Sequence, residues 1–235
     1  MFTLFCMMVG LALADTDGDD WLTRIDAAGR IPHAHVELDI EVQDARGRTN
    51  QRTIEIWQKG DDRRLVRMTS PSRLAGIGLL ASPGDQLHMF LPSYPPARRV
   101  IGSKRSDAFV GTDFAIEDLS RMTYSTVYTA TVSKIDEALT KLTLKHRTDP
   151  TPELTHLWVD QTAVIRKVEH TNASGAVTRR LVLSDVRPIG TAQLAHQIEV
   201  TDLKRNRVTT AKITSIDTEQ TIDDALFSVT TLERP

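Results

Sequence analysis

Short runs of alternating apolar and polar residues recur along most of this chain, and this pattern restricts the fold more than any other feature. Residues 35–42 carry valine, leucine, isoleucine and valine at every second position, with histidine or an acidic residue between them. Residues 52–59 repeat the pattern with Ile54 and Ile56. Alternation with a period of two predicts a strand with one buried face, which is typical of antiparallel sheets.

Further runs of this kind follow at a spacing of about ten residues and are separated by turn sequences such as 172–175. The predicted strands cover residues 35–42, 52–59, 63–69, 76–81, 86–91, 125–132, 141–147, 155–160, 164–171, 177–184, 196–201 and 208–215. Regular short strands favour a sandwich or barrel over alternating strand–helix units. Helices are predicted over 20–28 and 112–122, and a capping box at 221–224 predicts a third that leads into 225–227. We therefore expect a mainly β protein in one domain, with about eleven antiparallel strands in a curved sheet that a few helices partly cover.

The first fourteen residues form an apolar run that ends in Ala12-Leu-Ala14, and an acidic stretch follows at 15–20. Small residues before a charged segment predict a secretory signal peptide cleaved after Ala14, and the run is shorter than the ~20 residues of a membrane-spanning helix. No lysine or arginine precedes the run, so a segment that is not a signal is the alternative. Because Cys6 lies in this run, the mature chain, residues 15–235, would have no cysteine, which fits a bacterial periplasm.

The chemistry-bearing residues form no recognisable catalytic or metal-binding motif. The net charge of −2 and an aromatic content of 5% argue against binding to nucleic acid. The seven histidines are scattered, and the acidic stretch at 15–20 lacks the downstream glutamate of a calcium loop. There is no Gly-x-Ser-x-Gly nucleophile turn. We predict no catalytic residue, metal or cofactor, with a hydrolase whose site is not recognisable in the sequence as an alternative.

A proline-rich, basic segment at residues 92–105 interrupts the predicted sheet. It contains Arg98, Arg99, Lys104 and Arg105, and three further arginines lie at 63, 64 and 67. Arginines at sheet edges and turns maintain solubility, which is one interpretation of this segment. The other is a cationic rim that holds phosphate or carboxylate head groups at the mouth of an apolar site.

Several segments occur in the order found in outer-membrane lipoprotein-sorting proteins. They are Gly76-Ile-Gly-Leu-Leu80, Gln86-Leu-His-Met-Phe-Leu-Pro92, Ala97-Arg-Arg-Val-Ile101, Phe109-Val-Gly-Thr-Asp-Phe114 with Glu117-Asp-Leu119, Leu157-Trp-Val-Asp160, Arg166-Lys-Val-Glu169 and Asp224-Ala-Leu-Phe-Ser228. Over residues 20–235 the chain resembles this family, which belongs to the superfamily of the periplasmic carrier LolA and the receptor LolB. The resemblance implies an incomplete antiparallel β-barrel of about eleven strands around an apolar cavity with a helical lid.

The resemblance also implies a function without catalysis. The protein is expected in the periplasm, as a carrier that shelters the acyl chains of a lipid or lipidated protein during transport to the outer membrane, with a membrane-embedded export partner. A regulatory sensor of the same fold is the alternative. Ile116 and Leu119 would contact the cargo from the lid, and Arg98, Arg99, Lys104 and Arg105 would form the head-group rim. Ordinary packing in the core is the alternative explanation for the residues that we expect to line the cavity, because both require the same face to be apolar. These residues are Val36, Leu38, Ile40, Ile54, Ile56, Val66, Met68, Leu87, Met89 and Leu91.

Overall fold

The computed structural model describes residues 17–135, 138–148 and 153–234. The predicted signal peptide and Cys6 lie outside the described residues. The described residues form thirteen strands, all in one antiparallel sheet. The strands are β1 (His33–Gln43), β2 (Thr49–Lys59), β3 (Arg63–Ser70), β4 (Gly78–Ser82), β5 (Gln86–Phe90), β6 (Arg98–Arg99), β7 (Tyr128–Ile135), β8 (Leu139–His146), β9 (Thr155–Asp160), β10 (Ile165–Thr171), β11 (Val177–Ile189), β12 (Ala192–Asp202) and β13 (Arg207–Asp217).

Each strand pairs with its neighbour in sequence, except that β6 and β7 do not pair and β1 pairs with β13. The first and last strands therefore lie side by side in the middle of the sheet, with β6 and β7 at its two edges. The predicted incomplete antiparallel barrel is confirmed, because the described strands do not close into a ring. The sheet also contains the two-residue strand β6, for which the sequence showed no alternation.

Alternation decides which side chains face the hollow of this curved sheet. On β1 the side chains of Ala34, Val36, Leu38 and Ile40 are buried, while the residues between them are partly or fully exposed. A large cluster of buried apolar side chains lies on the concave side. A smaller convex cluster of Leu65, Leu80, Phe90 and Leu232 packs under the C-terminal segment.

Three α-helices occur among the described residues: α1 (Gly18–Ala28), α2 (Ile116–Ser120) and α3 (Val229–Leu232). The first begins two residues before the predicted start at 20, because Asp17 caps it through the backbone N–H of Asp19. The second is shorter than the predicted 112–122. The predicted third helix is a 3₁₀ turn at Asp224–Phe227 followed by α3. Within the described ranges, no helix combines the length and apolar character needed to cross a membrane.

Helix α1 is fixed to the edge strand β7 by close backbone contact and by a carboxylate. Its side chains Trp21, Leu22 and Ile25 are buried in the main core. The Asp19 carboxylate accepts a hydrogen bond from the Ala130 backbone N–H at 2.8 Å. At Gly18, a Cβ atom would lie 2.1 Å from the Ala130 carbonyl oxygen. The start of the helix thus needs glycine, because no side chain fits between it and the strand.

Replacing Gly18 by alanine should destabilise the fold, because the new methyl group meets strand backbone that cannot rotate away. We expect the free energy of unfolding to fall by at least about 1–3 kcal/mol in urea unfolding. Gly29→Ala is the matched control, since its Cβ would lie 3.7 Å from the nearest neighbouring atom. Equal stabilities of the two variants would contradict the proposed contact.

Candidate functional site

A cavity of about 500 Å³ lies between the concave face of the sheet, the C-terminal end of α1 and the segment that contains α2. Strands β1, β2, β12 and β13 form its wall, and their inward side chains are mostly aliphatic. The apolar lining consists of Ala27, Ile31, Ala34, Val36, Leu38, Ile40, Ile54, Ile56, Phe114, Leu119, Met122, Leu194, Ala195, Ile198, Ala211 and Ile213.

The structure divides the residues expected to line the cavity into two groups. The first group, together with the lid residue Leu119, lies in the cavity wall: Val36, Leu38, Ile40, Ile54 and Ile56. The second group lies outside the cavity but in or against the same main core: Val66, Met68, Leu87, Met89 and Leu91 on the sheet side and Ile116 on α2. The alternation of apolar residues is the same in both groups. The two groups differ in position on the sheet: the first lies on β1 and β2, and the sheet residues of the second lie on or next to β3 and β5.

Sequence reasoning missed the half of the wall that comes from the end of the chain. Leu194 and Ile198 on β12 and Ala211 and Ile213 on β13 line the cavity. Ile198, Ala211 and Ile213 lie in the predicted strands 196–201 and 208–215, whereas Leu194 lies before the predicted start at 196, in a strand that begins at Ala192. The pairing of β1 with β13, with Ile40 opposite Ala211, brings them beside the N-terminal strands.

Arg64 holds the segment that contains α2, which covers the cavity, from the side of the sheet. This half-buried arginine on β3 donates hydrogen bonds to the carbonyl oxygens of Leu119 (3.2 Å) and Arg121 (2.9 Å), at the end of α2. It also donates to Gln58 Oε1 at 2.7 Å. Burial lowers the pKa of Arg64 to about 10, so the side chain remains a cation at neutral pH. One charged group thus satisfies two carbonyls that the short helix leaves unpaired.

The carboxylate of Asp26 on α1 holds the same segment from the side of the helix. Asp26 Oδ1 accepts from the Tyr124 N–H at 2.7 Å, and Oδ2 accepts from the Ser125 N–H at 2.9 Å and from its hydroxyl at 2.6 Å. Asp26 and Arg64 both line the cavity, as does Thr123. The segment from α2 to Ser125 is therefore held over the apolar wall by polar contacts at its margin.

Behind α2 lies a buried polar network that includes His170. The Asp118 carboxylate caps α2 through the Ala115 N–H at 2.8 Å and contacts Arg179 Nη2 at 3.2 Å. His170 Nε2 lies 3.9 Å from the same carboxylate. Burial, with a further contribution from the positive charge of Arg179, lowers the pKa of His170 to about 3. The ring is therefore neutral at physiological pH.

Arg121 connects this network to two tyrosines. It forms an ion pair with Glu117 at 3.2 Å and donates to the Tyr128 hydroxyl at 2.9 Å. Its guanidinium lies over the rings of Tyr124 and Tyr128. Burial raises the pKa of Tyr128 to about 12, so its phenol stays protonated.

The four basic residues of the predicted rim do not line the cavity. Arg98 and Arg99 are exposed on the edge strand β6. Lys104 pairs with Asp107 at 3.2 Å, and Arg105 pairs with Asp85 at 2.8 Å. Arg105 also lines a second, polar cavity of about 420 Å³. Of the arginines at 63, 64 and 67, only Arg64 reaches the apolar cavity. Across the described part of the chain, no group of three or more histidine, cysteine, aspartate or glutamate side chains is placed to hold a metal ion.

An open antiparallel barrel with a covered apolar hollow is the fold of the LolA superfamily. Three solved structures share it: an outer membrane lipoprotein-sorting protein domain from Vibrio parahaemolyticus, a DUF1329 family protein from Desulfovibrio piger and a LolA superfamily protein from Nitrosomonas europaea. Their TM-scores are 0.81, 0.80 and 0.75 at identities of 18%, 18% and 19%. The matches cover 92%, 92% and 90% of this chain and 98%, 97% and 97% of the three structures.

A family model described as "Uncharacterized protein" matches residues 60–234, and the chain belongs to that family. No protein with curated annotation matches the sequence. At these identities the likeness to the solved structures establishes the fold, which agrees with the resemblance seen in the sequence.

Proposed function

We propose that the protein is a periplasmic carrier that encloses the acyl chains of a lipid or lipidated protein on their way to the outer membrane. The observation that carries this proposal is the cavity of about 500 Å³ with its mostly aliphatic wall. Its volume lies within the roughly 300–1,000 Å³ of pockets that enclose small molecules. The residues that we assign to acyl-chain contact include Leu38, Ile56 and Ile213.

The chemistry of the wall matches a hydrocarbon better than a polar ligand. An acyl chain gains about 0.8 kcal/mol for each CH₂ group that leaves water, without any directed contact. Branched aliphatic side chains on four strands supply such a surface. Because the wall is mostly aliphatic, the function that we assign to this cavity is binding without catalysis.

Entry of a chain requires the cover to move. The segment around α2 is held at its margin by Arg64 and Asp26, and the contacts of Leu119 with the cavity are apolar. A few partly buried hydrogen bonds at the margin of a segment open more readily than a packed apolar core does. We assign the role of lid to this segment, in line with the superfamily resemblance.

The remaining assignments follow from the sequence. Residues 1–14 serve as a cleaved signal peptide, and 15–235 form a single domain that works in the periplasm. Arg98 and Arg99, exposed on the sheet edge, are available to anionic head groups of a donor or acceptor membrane. A membrane-embedded export partner would supply the cargo.

Native mass spectrometry of the protein isolated from periplasm tests this function. We expect masses above that of the polypeptide, and fatty-acyl species after solvent extraction. Ile213→Trp, which places an indole in the cavity, should lose the added mass while remaining folded. A ligand-free wild-type protein would contradict the carrier, and stable co-purification of a membrane protein without lipid would favour the sensor.

A further inference from the structure

Arg52, on the concave side of β2, is a buried cation without a hydrogen-bond partner. The residue is 8% exposed, and its Nε and Nη1 atoms are enclosed with no acceptor among the described residues. A buried polar group left without a partner costs about 1–3 kcal/mol, and more when it is charged. An unpaired cation at this depth points to an acceptor from outside the chain that approaches the guanidinium at Nη2, the nitrogen that is not enclosed.

The groups around Arg52 carry an excess of positive charge. Asp113 is the neighbouring acid, and its Oδ2 accepts a hydrogen bond from the Thr209 hydroxyl at 2.7 Å. Its Oδ1 lies 3.3 Å from Nε of a second arginine, Arg207. Burial lowers the pKa of Arg52, and repulsion by Arg73 and Arg207 lowers it further. The charges that act on Arg52 are thus two further arginines and one carboxylate, which together with Arg52 itself leave an excess of two positive charges.

Gly111 leaves one edge of this guanidinium uncovered. Its φ is +70°, and a Cβ atom there would lie 2.7 Å from Arg52 Nη2. The backbone at Gly111 is exposed, and its carbonyl oxygen accepts from Arg207 Nη2 at 3.2 Å. Arg73 is exposed in the 3₁₀ turn at Ser72–Leu74. Nη2 is not among the enclosed nitrogens of Arg52, so a ligand can approach the guanidinium at this nitrogen, beside Gly111.

We propose that Arg52, Arg73 and Arg207 bind a phosphate group at this site. Guanidinium groups bind phosphate through paired N–H donors, and a dianion balances the two excess charges. The proposal does not depend on the carrier function. Ile54, two residues along the same face of β2, belongs to the cavity wall, so a lipid phosphate and free phosphate are both sources of the ligand.

Thermal unfolding with added inorganic phosphate, against chloride at the same ionic strength, tests the site. The Tm of the wild type should rise with phosphate concentration and give a saturable affinity. In Arg52→Met the affinity should fall at least tenfold, and in Arg73→Gln it should fall measurably. Arg48→Met is the matched control, because Arg48 is exposed and paired with Asp44 at 2.6 Å; its phosphate response should equal that of the wild type.

Dihexanoyl phosphatidic acid, used below its micellar concentration, separates the two sources. Tighter binding of this lipid than of phosphate supports the site as one for a lipid head group, and equal or weaker binding supports it as one for free phosphate. The proposal would be overturned if neither ligand raised the Tm of the wild type. It would also be overturned if a ligand raised the Tm of Arg52→Met as much as that of the wild type.

Discussion

Replacing Leu38 by aspartate should abolish the binding of a fluorescent fatty acid. Leu38 lies in the middle of the cavity wall and is 8% exposed. An ionised carboxylate placed there would need water in the space that the acyl chain occupies. We expect at least a hundredfold loss of affinity in a fluorescence titration, provided that circular dichroism shows a folded sheet.

Two further variants make this result specific. Val182→Asp introduces the same charge at a residue on β11 that is 40% exposed, and it should bind like the wild type. Met89→Asp lies on the concave side but outside the cavity, so it should lower stability more than affinity. If Leu38→Asp is folded and binds the fatty acid as tightly as the wild type, the acyl chain does not bind in this cavity.

Acidification between pH 6.5 and 4.5 should weaken the fold through His170. The ordinary pKa of histidine is 6.5, whereas the folded value is about 3. In this range the unfolded chain takes up a proton that the folded protein does not bind. Stability is therefore complete above pH 6.5 and decreases as the pH falls, by up to about 1.4 kcal/mol for each pH unit. Urea unfolding at a series of pH values measures this slope.

His170→Asn should flatten the slope because it removes the titrating ring. The pKa of His156 is also lowered, mainly by burial, but this ring is less enclosed, so His156→Asn should flatten the slope less. The acids with lowered pKa values, among them Asp160 and Glu169, lose their stabilising charge only below about pH 4.5, outside the measured range. An unchanged slope in His170→Asn would contradict the assignment.

The sheet could be predicted from the sequence because alternation is local. Each long strand carries its own pattern of buried and exposed residues, as β1 does. The short edge strand β6 could not be predicted, since two residues show no period and only its hydrogen bonds with β5 define it. Strand pairing across the chain, such as β1 with β13, has no local signal at all.

The start of α2 shows how a distant contact overrides a local preference. The sequence predicted a helix over 112–122, with Thr112 as its capping residue and Glu117 and Asp118 in its first turns. In the structure, Asp113 is bonded instead to Thr209, 96 residues away, and the Phe109 N–H donates to the Phe114 carbonyl at 2.7 Å. The chain therefore turns before the helix begins at Ile116. The hydrogen bonds of Arg64 to the segment that contains α2 could not be predicted either, because its partners are carbonyl oxygens 55 and 57 residues further along the chain.

The hydrogen bond from Ala130 to the Asp19 carboxylate also bears on aggregation at high protein concentration. An unprotected edge strand offers free amides to another chain, and edge-to-edge pairing of this kind starts aggregation. On β7, the Ala130 amide is already bonded to Asp19, so it cannot donate to a strand from another molecule. The same bond that positions the first helix therefore takes one amide of this edge strand out of reach of a second molecule.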